Sequence, residues 1–335
     1  MNNDVVIINY PAIKCPNTSW INDIAVGTNH PNQIITGSWD GKIQKINLNT
    51  NNIEILLTPP NYVENIRIMC LIANQIFYGL SRAIYSIDIE TKQTQILLAG
   101  ISYKSKHGHC DYITALCSTP NNKYLISGSN DKTIKIINLD DNSVRTLTYH
   151  NSWIRALVAT DDLVVSSSKD CSIRMFDLVT EKVIQTIRTD GREDTLALDN
   201  NTRLFTGNYN GTITIYDISQ PSSVAPAILY KFPAHNQCVR SLNISDGLLF
   251  SSSDDCMVKI WAADKQIGVI PHPSRVCKVV VSDNKIISGR DGNIHINVIS
   301  LWPGEYHRII KAVDEYNLAP HLSRIVLSYF GITYS

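Results

Sequence analysis

The chain repeats itself. The segments ITGSWDGKIQKINL, LISGSNDKTIKIINL, VSSSKDCSIRMFDL, LFTGNYNGTITIYDI, FSSSDDCMVKIWAA and IISGRDGNIHINVI share one pattern. Each reads as an apolar strand, a Ser/Gly step, a turn centred on Asp or Asn, and an alternating strand. The turn residues are Asp40, Asp131, Asp170, Asn210, Asp255 and Asp291. The 91 residues between Asp40 and Asp131 leave room for one more unit, and IFYGLSRAIYSIDI supplies it with Arg82 at the turn. Successive turn-to-turn spacings are then 42, 49, 39, 40, 45 and 36 residues. A period of about 40–45 residues with four strands per unit is that of a propeller blade.

The other strands of each unit are also legible. In the third unit YITALCS precedes KYLISGS, TIKIINL and SVRTLTY; in the fourth WIRALVA precedes LVVSSS, SIRMFDL and KVIQTI. Period-two alternation and β-branched residues mark strands, and NN, DD, DG and NG pairs mark turns. One four-stranded blade cannot bury both its faces, but stacked blades can, so the ring must close. The seventh unit offers RVCKVVVS, KIISGR and NIHINVIS, three strands without a fourth. The leading VVIINYPA, from Val5, is a strand without a blade. It is expected to be the outer strand of the last blade, because an unpaired edge there invites aggregation. The sequence therefore predicts an all-β fold. A seven-bladed β-propeller spans residues 1–302, closed by the N-terminal strand, and a short helical tail spans 303–335.

Charge narrows the function classes. Lys+Arg and Asp+Glu are 30 each, so the formal net charge is zero. A dominant nucleic-acid or anionic-membrane partner needs a basic surplus, so neither is expected. No run of 18 apolar residues exists to span a membrane. The apolar run Val5 to Ile8 is too short for a signal peptide and has no basic lead-in. The eight cysteines are scattered, with no C-x-x-C. Reduced, mostly buried thiols in a cytoplasmic or nuclear protein are the expectation.

The units resemble WD40 repeats, whose pattern has Gly-His before the first strand, Asp in the second turn and Trp-Asp ending the third strand. The sixth unit matches best, with His235, Ser251 or Ser253, Asp255 and Trp261, although Ala262 replaces the final Asp. The third has Gly108-His109 and Asp131, with Ile137-Asn138 in place of Trp-Asp; the fourth has His150, Asp170 and Phe176-Asp177. The fifth has Asn210 and Tyr216-Asp217 without a histidine, and the seventh has His272 and Asp291. The resemblance covers roughly residues 4 to 301. It implies a buried chain in which carboxylate meets histidine, histidine meets hydroxyl and hydroxyl meets indole, favourable only when each member is paired. Units one, two and five lack parts of that chain and are expected to rely more on apolar packing.

Catalytic chemistry is not expected. The recurring aspartates and histidines occupy one structural slot per unit, which suits turns and networks. Only His107 and His109 stand at metal-ligand spacing, and no cysteine pair joins them, so no metal or cofactor is expected. G-x-S-x-G and H-E-x-x-H are missing, and GSWDGK (Gly37 to Lys42) is one residue short of a phosphate loop and followed by Ile43. A hydrolase working at the central channel, the enzymatic alternative, needs unlike polar groups clustered at its mouth, whereas the sequence repeats equivalent ones.

Propeller partners usually meet the rim built by the second turns and by the loops leading into the first strands. The turns carry Trp39, Lys169, Tyr209 and Arg290, and the lead-ins carry Tyr112, Trp153, Arg155, Arg240 and Arg275. Trp, Tyr and Arg dominate binding hot spots, and arginines clamp carboxylates or phosphates bidentately. The expectation is a non-catalytic protein–protein interaction scaffold or adaptor whose rim binds an acidic or phosphorylated peptide segment. Beyond residue 302, Tyr306, Ile309, Ile310, Val313 and Tyr316 fall on one helical stripe, and Leu322, Ile325, Val326 and Tyr329 on a second that follows Pro320. Leu318-Ala319-Pro320-His321-Leu322, then Ile325 and Tyr329-Phe330, resemble the opening helix of an F-box. That resemblance implies an alternative, a substrate receptor that recruits ubiquitin-ligase components through its tail.

Overall fold

The computed structural model describes residues 5–301, except 10–11, 16–18, 28–29, 60–64, 100–107, 200–201, 220–224, 283–284 and 291. The helical tail, His107 and Asp291 lie outside the described residues. Among the described residues there are seven sheets, each antiparallel and each built from consecutive strands, apart from the strand that closes the ring. The innermost strands are Ile21–Gly27, Ile66–Ile72, Ile113–Ser118, Ile154–Ala159, Glu193–Asp199, Val239–Ser245 and Lys278–Ser282, one for each of blades 1 to 7. No helix among the described residues is long and apolar enough to cross a membrane.

The turn chemistry explains why each unit folds alike. The residue after the turn Asp or Asn has a left-handed backbone: Gly41, Lys132, Cys171, Gly211 and Cys256, with φ between 58 and 89°. Asp131 Oδ1 accepts the Thr133 amide at 2.9 Å, Asp170 Oδ1 that of Ser172 at 3.0 Å, and Asp255 Oδ1 that of Met257 at 3.1 Å. This side-chain capping stabilises a tight turn whatever residue occupies the left-handed position. Gly211 (φ 89°) has a second reason to be glycine: its carbonyl accepts the amides of Ala234 and His235, and a Cβ would stand 2.0 Å from the His235 carbonyl oxygen.

The Ser/Gly step of the repeat is the seam between blades. A Cβ on Gly128 of blade 3 would stand 2.4 Å from Ile154 Cγ2 of blade 4, and one on Gly207 of blade 5 would stand 2.7 Å from Val239 Cγ1 of blade 6. The apolar residue at the entry to the inner strand is thus a knob in the small-residue notch of the blade before it, and Gly37 meets Ile66 and Gly79 meets Ile113 in the same way. Ile21, Ile66, Ile113, Ile154, Val239 and, two residues ahead of Lys278, Val276 hold that entry position and are buried.

The last blade is closed by the leading strand. Val5–Asn9 pairs antiparallel with the third strand of blade 7 (Asn293–Leu301), from Val5 opposite Leu301 to Asn9 opposite Asn297. The chain continues along the same strand with Ile13 opposite Ile294, an extension that the repeat pattern does not announce. The closing seam has its own core, in which Ile21, Ile24, Ile34 and Ile46 of blade 1 pack with Ile287, Ile294 and Ile296 of blade 7. It is also stitched at the channel. Lys278 Nζ of blade 7 lies 3.1 Å from Asp23 Oδ1 of blade 1, and Asp23 Oδ2 accepts the Met69 amide of blade 2 at 2.7 Å.

Candidate functional site

Three blades carry a hydrogen-bonded chain beneath the turns. His109, His150 and His235 are buried. Their Nδ1 atoms lie 3.0, 3.0 and 2.9 Å from Asp131, Asp170 and Asp255, and their Nε2 atoms 2.8, 2.8 and 2.7 Å from the hydroxyls of Ser127, Ser166 and Ser251. Blade 6 extends the chain, because Trp261 Nε1–H donates to Ser251 Oγ at 2.8 Å. One proton arrangement satisfies each member: indole to hydroxyl, hydroxyl to Nε2, Nδ1–H to carboxylate. Burial keeps the three imidazoles below their ordinary range, against the pull of the adjoining aspartates. They are neutral at pH 7.

The other blades solve the same slot differently. In blade 2 Tyr78 and Tyr85 stack at 5.5 Å, an apolar substitute. In blade 7 Ser288 Oγ lies 3.2 Å from His272 Nε2, with the His295 ring edge-on at 4.8 Å. In blade 1 the buried Thr36 takes the hydroxyl position, and the turn carboxylate of Asp40 accepts from Ser38 Oγ at 2.5 Å. Blade 5 is polar rather than apolar, and the group that fills it is Glu193.

The rim follows from the backbone. The residue leading into an inner strand accepts, through its carbonyl, the amide of a turn residue in the same blade. Trp39 donates to Trp20 at 2.8 Å, Asn130 to Tyr112 at 2.9 Å, Lys169 to Trp153 at 2.8 Å, Tyr209 to Arg192 at 3.0 Å and Asp254 to Cys238 at 3.1 Å. These pairs raise two side chains side by side on one face. Trp20, Trp39, Tyr112, Trp153 and Tyr209 are all there, each 41 to 55% exposed. Trp20 and Trp39 meet edge to face at 5.9 Å. Cations lie over the other three rings: Arg67 at 4.8 Å over Tyr112, Lys169 at 4.5 Å over Trp153 and Arg192 at 4.4 Å over Tyr209.

Two of the arginines named from sequence, Arg155 and Arg240, are charge-balanced. Arg155 Nε bonds Asp194 Oδ1 and Arg192 bonds Asp194 Oδ2, each at 2.7 Å, bridging blades 4 and 5. Arg240 bonds Asp254. Burial alone would raise the Asp194 carboxyl, but Arg155 and Arg192 outweigh it and hold it below the usual range. Arg67 and Lys169 meet no carboxylate among the described residues. Arg275 is exposed, and Arg290 ends the second strand of blade 7 (Lys285–Arg290). Sequence reasoning missed Trp20, Arg67, Arg192, Asp194 and Asp254. Trp20 and Arg192 had a signal, since they precede Ile21 and Glu193 as Tyr112 and Trp153 precede Ile113 and Ile154.

Comparison with known proteins agrees with the fold. The family model "WD domain, G-beta repeat" matches residues 100–138, 141–177 and 227–262, which contain the three inner strands of blades 3, 4 and 6. Those are the blades with the histidine–aspartate chain. The chain is 25% identical over 271 residues to the WD repeat-containing protein 55 homolog of Dictyostelium discoideum, covering 77% of this chain and 63% of that protein. It is 31% identical over 216 residues to pre-mRNA-processing factor 17 of Saccharomyces cerevisiae, covering 58% and 47%. With small ribosomal subunit protein RACK1 of Drosophila melanogaster it shares 25% identity over 179 residues, covering 49% and 54%. It spans less than two thirds of the length of each of these relatives. With the closed seven-bladed ring and the matched blades, the chain is a β-propeller that carries WD40 repeats in its third, fourth and sixth blades.

Proposed function

We propose that this propeller is a non-catalytic interaction scaffold whose rim takes up an extended acidic segment of a partner protein across blades 3 to 5. One observation carries the reading: three consecutive aromatic–cation pairs, Arg67–Tyr112, Lys169–Trp153 and Arg192–Tyr209, line one face of a stiff ring. A half-exposed aromatic supplies contact area at little entropic cost, and a cation stacked on it is held in place for an anion. The anchoring charges in this reading are Lys169, one of the residues the sequence suggested, and Arg67, which it did not name. Arg155 and Arg240 already neutralise buried aspartates, whereas Arg67 and Lys169 have charge to offer.

An array of Asp/Glu-rich and phosphoserine peptides, probed with the whole chain, should yield binders whose affinity falls with salt. For such a peptide Trp153→Ala should weaken binding by about tenfold. Arg67→Ala with Lys169→Ala should weaken it by a similar factor and flatten the salt dependence. Arg240→Ala should act mainly on stability, because it strands a buried carboxylate. Affinity unchanged by Trp153→Ala and by the double variant, or an array without binders, would remove the rim from this role.

A further inference from the structure

Glu193 breaks the rule of the inner strands. Its position is the entry to the blade 5 inner strand, opposite Asn208, where the other six blades place a buried Ile or Val. It is 4% exposed. Asn208 Nδ2 donates to its Oε1 at 3.2 Å, and the Thr206 hydroxyl adjoins it. By strand register Thr206 corresponds to Ser127, Ser166 and Ser251, the hydroxyls that meet histidine in blades 3, 4 and 6. Thr189 and Asn210 occupy the histidine and aspartate positions of blade 5. The buried carboxyl of Glu193 therefore enters the slot that an imidazole fills elsewhere.

We infer that Glu193 is a proton-binding site, a buried carboxylic acid whose ionisation loosens the seam between blades 4 and 5. Burial is the largest influence on it and disfavours the charged form. Asn208, Thr206 and Lys231 oppose that, Asp194 adds to it, and the acid is pushed up to about 7. The flanking groups tie the proton to the rim. Arg192 and Asp194, its neighbours in sequence, form the bridge to Arg155 of blade 4; Tyr216 feels the Glu193 charge, and Asp190 pairs with Lys231.

The sign follows from linkage. The folded acid binds its proton more tightly than the unfolded one does, so its contribution is complete below pH 4.5 and is lost as pH rises to about 7. The buried histidines act in the opposite direction, so the difference between wild type and Glu193→Gln reads Glu193 alone. Across pH 5 to 8.5 the unfolding constant of the wild type relative to Glu193→Gln should rise on the order of a hundredfold. Glu193→Val, the residue type of the other blades, should show the same flattening. The Glu193 carboxyl carbon resonance, assigned by through-bond correlation from its own backbone, should titrate near neutrality in the intact wild-type chain, a readout that needs no folded variant. That resonance titrating near the ordinary glutamate value, or a pH dependence unchanged in both variants, would overturn the inference. Neither result depends on whether the rim binds a peptide.

Discussion

Replacing His235 with alanine is expected to destabilise the propeller by about 3 kcal/mol, more than the same change at His109 or His150. His235 is the middle of a chain of four, Asp255–His235–Ser251–Trp261, whose polar ends are all buried or nearly so. Its removal leaves the Asp255 carboxylate without its ring partner and Ser251 without an acceptor. A buried polar group stranded in this way costs more than its bond contributed. Burial alone would raise the Asp255 carboxyl; His235 and the amides of Asn236 and Met257 hold it below the usual range instead. His109 and His150 lie in three-member chains without an indole, so fewer groups are stranded there. Chemical denaturation at pH 7 measures the difference, and a loss below about 1 kcal/mol would mean that the chain is incidental to stability. The pH response follows too. The folded imidazoles bind protons more weakly than unfolded ones, so stability falls as pH drops through 6.5, where the unfolded histidines take up protons. His235→Ala removes one of those protons and should shallow that acid limb.

Removing residues 1–9 is expected to do more, abolishing the single cooperative transition. The strand Val5–Asn9 covers the whole outer half of the Asn293–Leu301 strand, and Ile7 packs into the core shared by blades 6 and 7. Without it, blade 7 presents an open ladder of backbone donors and acceptors, an edge prone to pair with other chains. The Lys278–Asp23 pair would remain at the channel, but a single ion pair is worth far less than a five-residue ladder and its apolar face. The shortened chain should aggregate, or melt at least about 10 °C lower, with loss of coincident transitions by near- and far-ultraviolet circular dichroism. Ile7→Asp, which keeps the backbone, should reproduce part of the loss. A shortened chain that melts like the full one would show that the ring does not need its leading strand.

These expectations rest on a fold that was legible because its rules are local. The turn Asp or Asn, the left-handed residue after it and the Ser/Gly step recur within a few residues of one another, so the period and the number of blades could be read directly. The spare strand at Val5 matched the missing strand of blade 7 by simple counting. What could not be read was lateral. Asp194 pairs with Arg155 39 residues away, and Lys278 reaches Asp23 across the whole chain, because ring closure sets neighbours that no spacing encodes. Arg155 looked like a free anchor for that reason, whereas Arg240 pairs with Asp254 inside its own blade. Glu193 was hidden differently. An apolar knob position does not announce itself until the blades are superimposed, and the acid in it then stands out against six aliphatic residues.

The closed ring is the claim on which the scaffold, the rim and the seam all depend, and hydrogen–deuterium exchange of the intact chain tests it most directly. Peptides covering Val5–Asn9 should be protected to the same degree as those covering Asn293–Leu301, and both should lose protection together as denaturant is added. Exchange of Val5–Asn9 at the rate of an unstructured segment, while Asn293–Leu301 stays protected, would contradict closure by that strand.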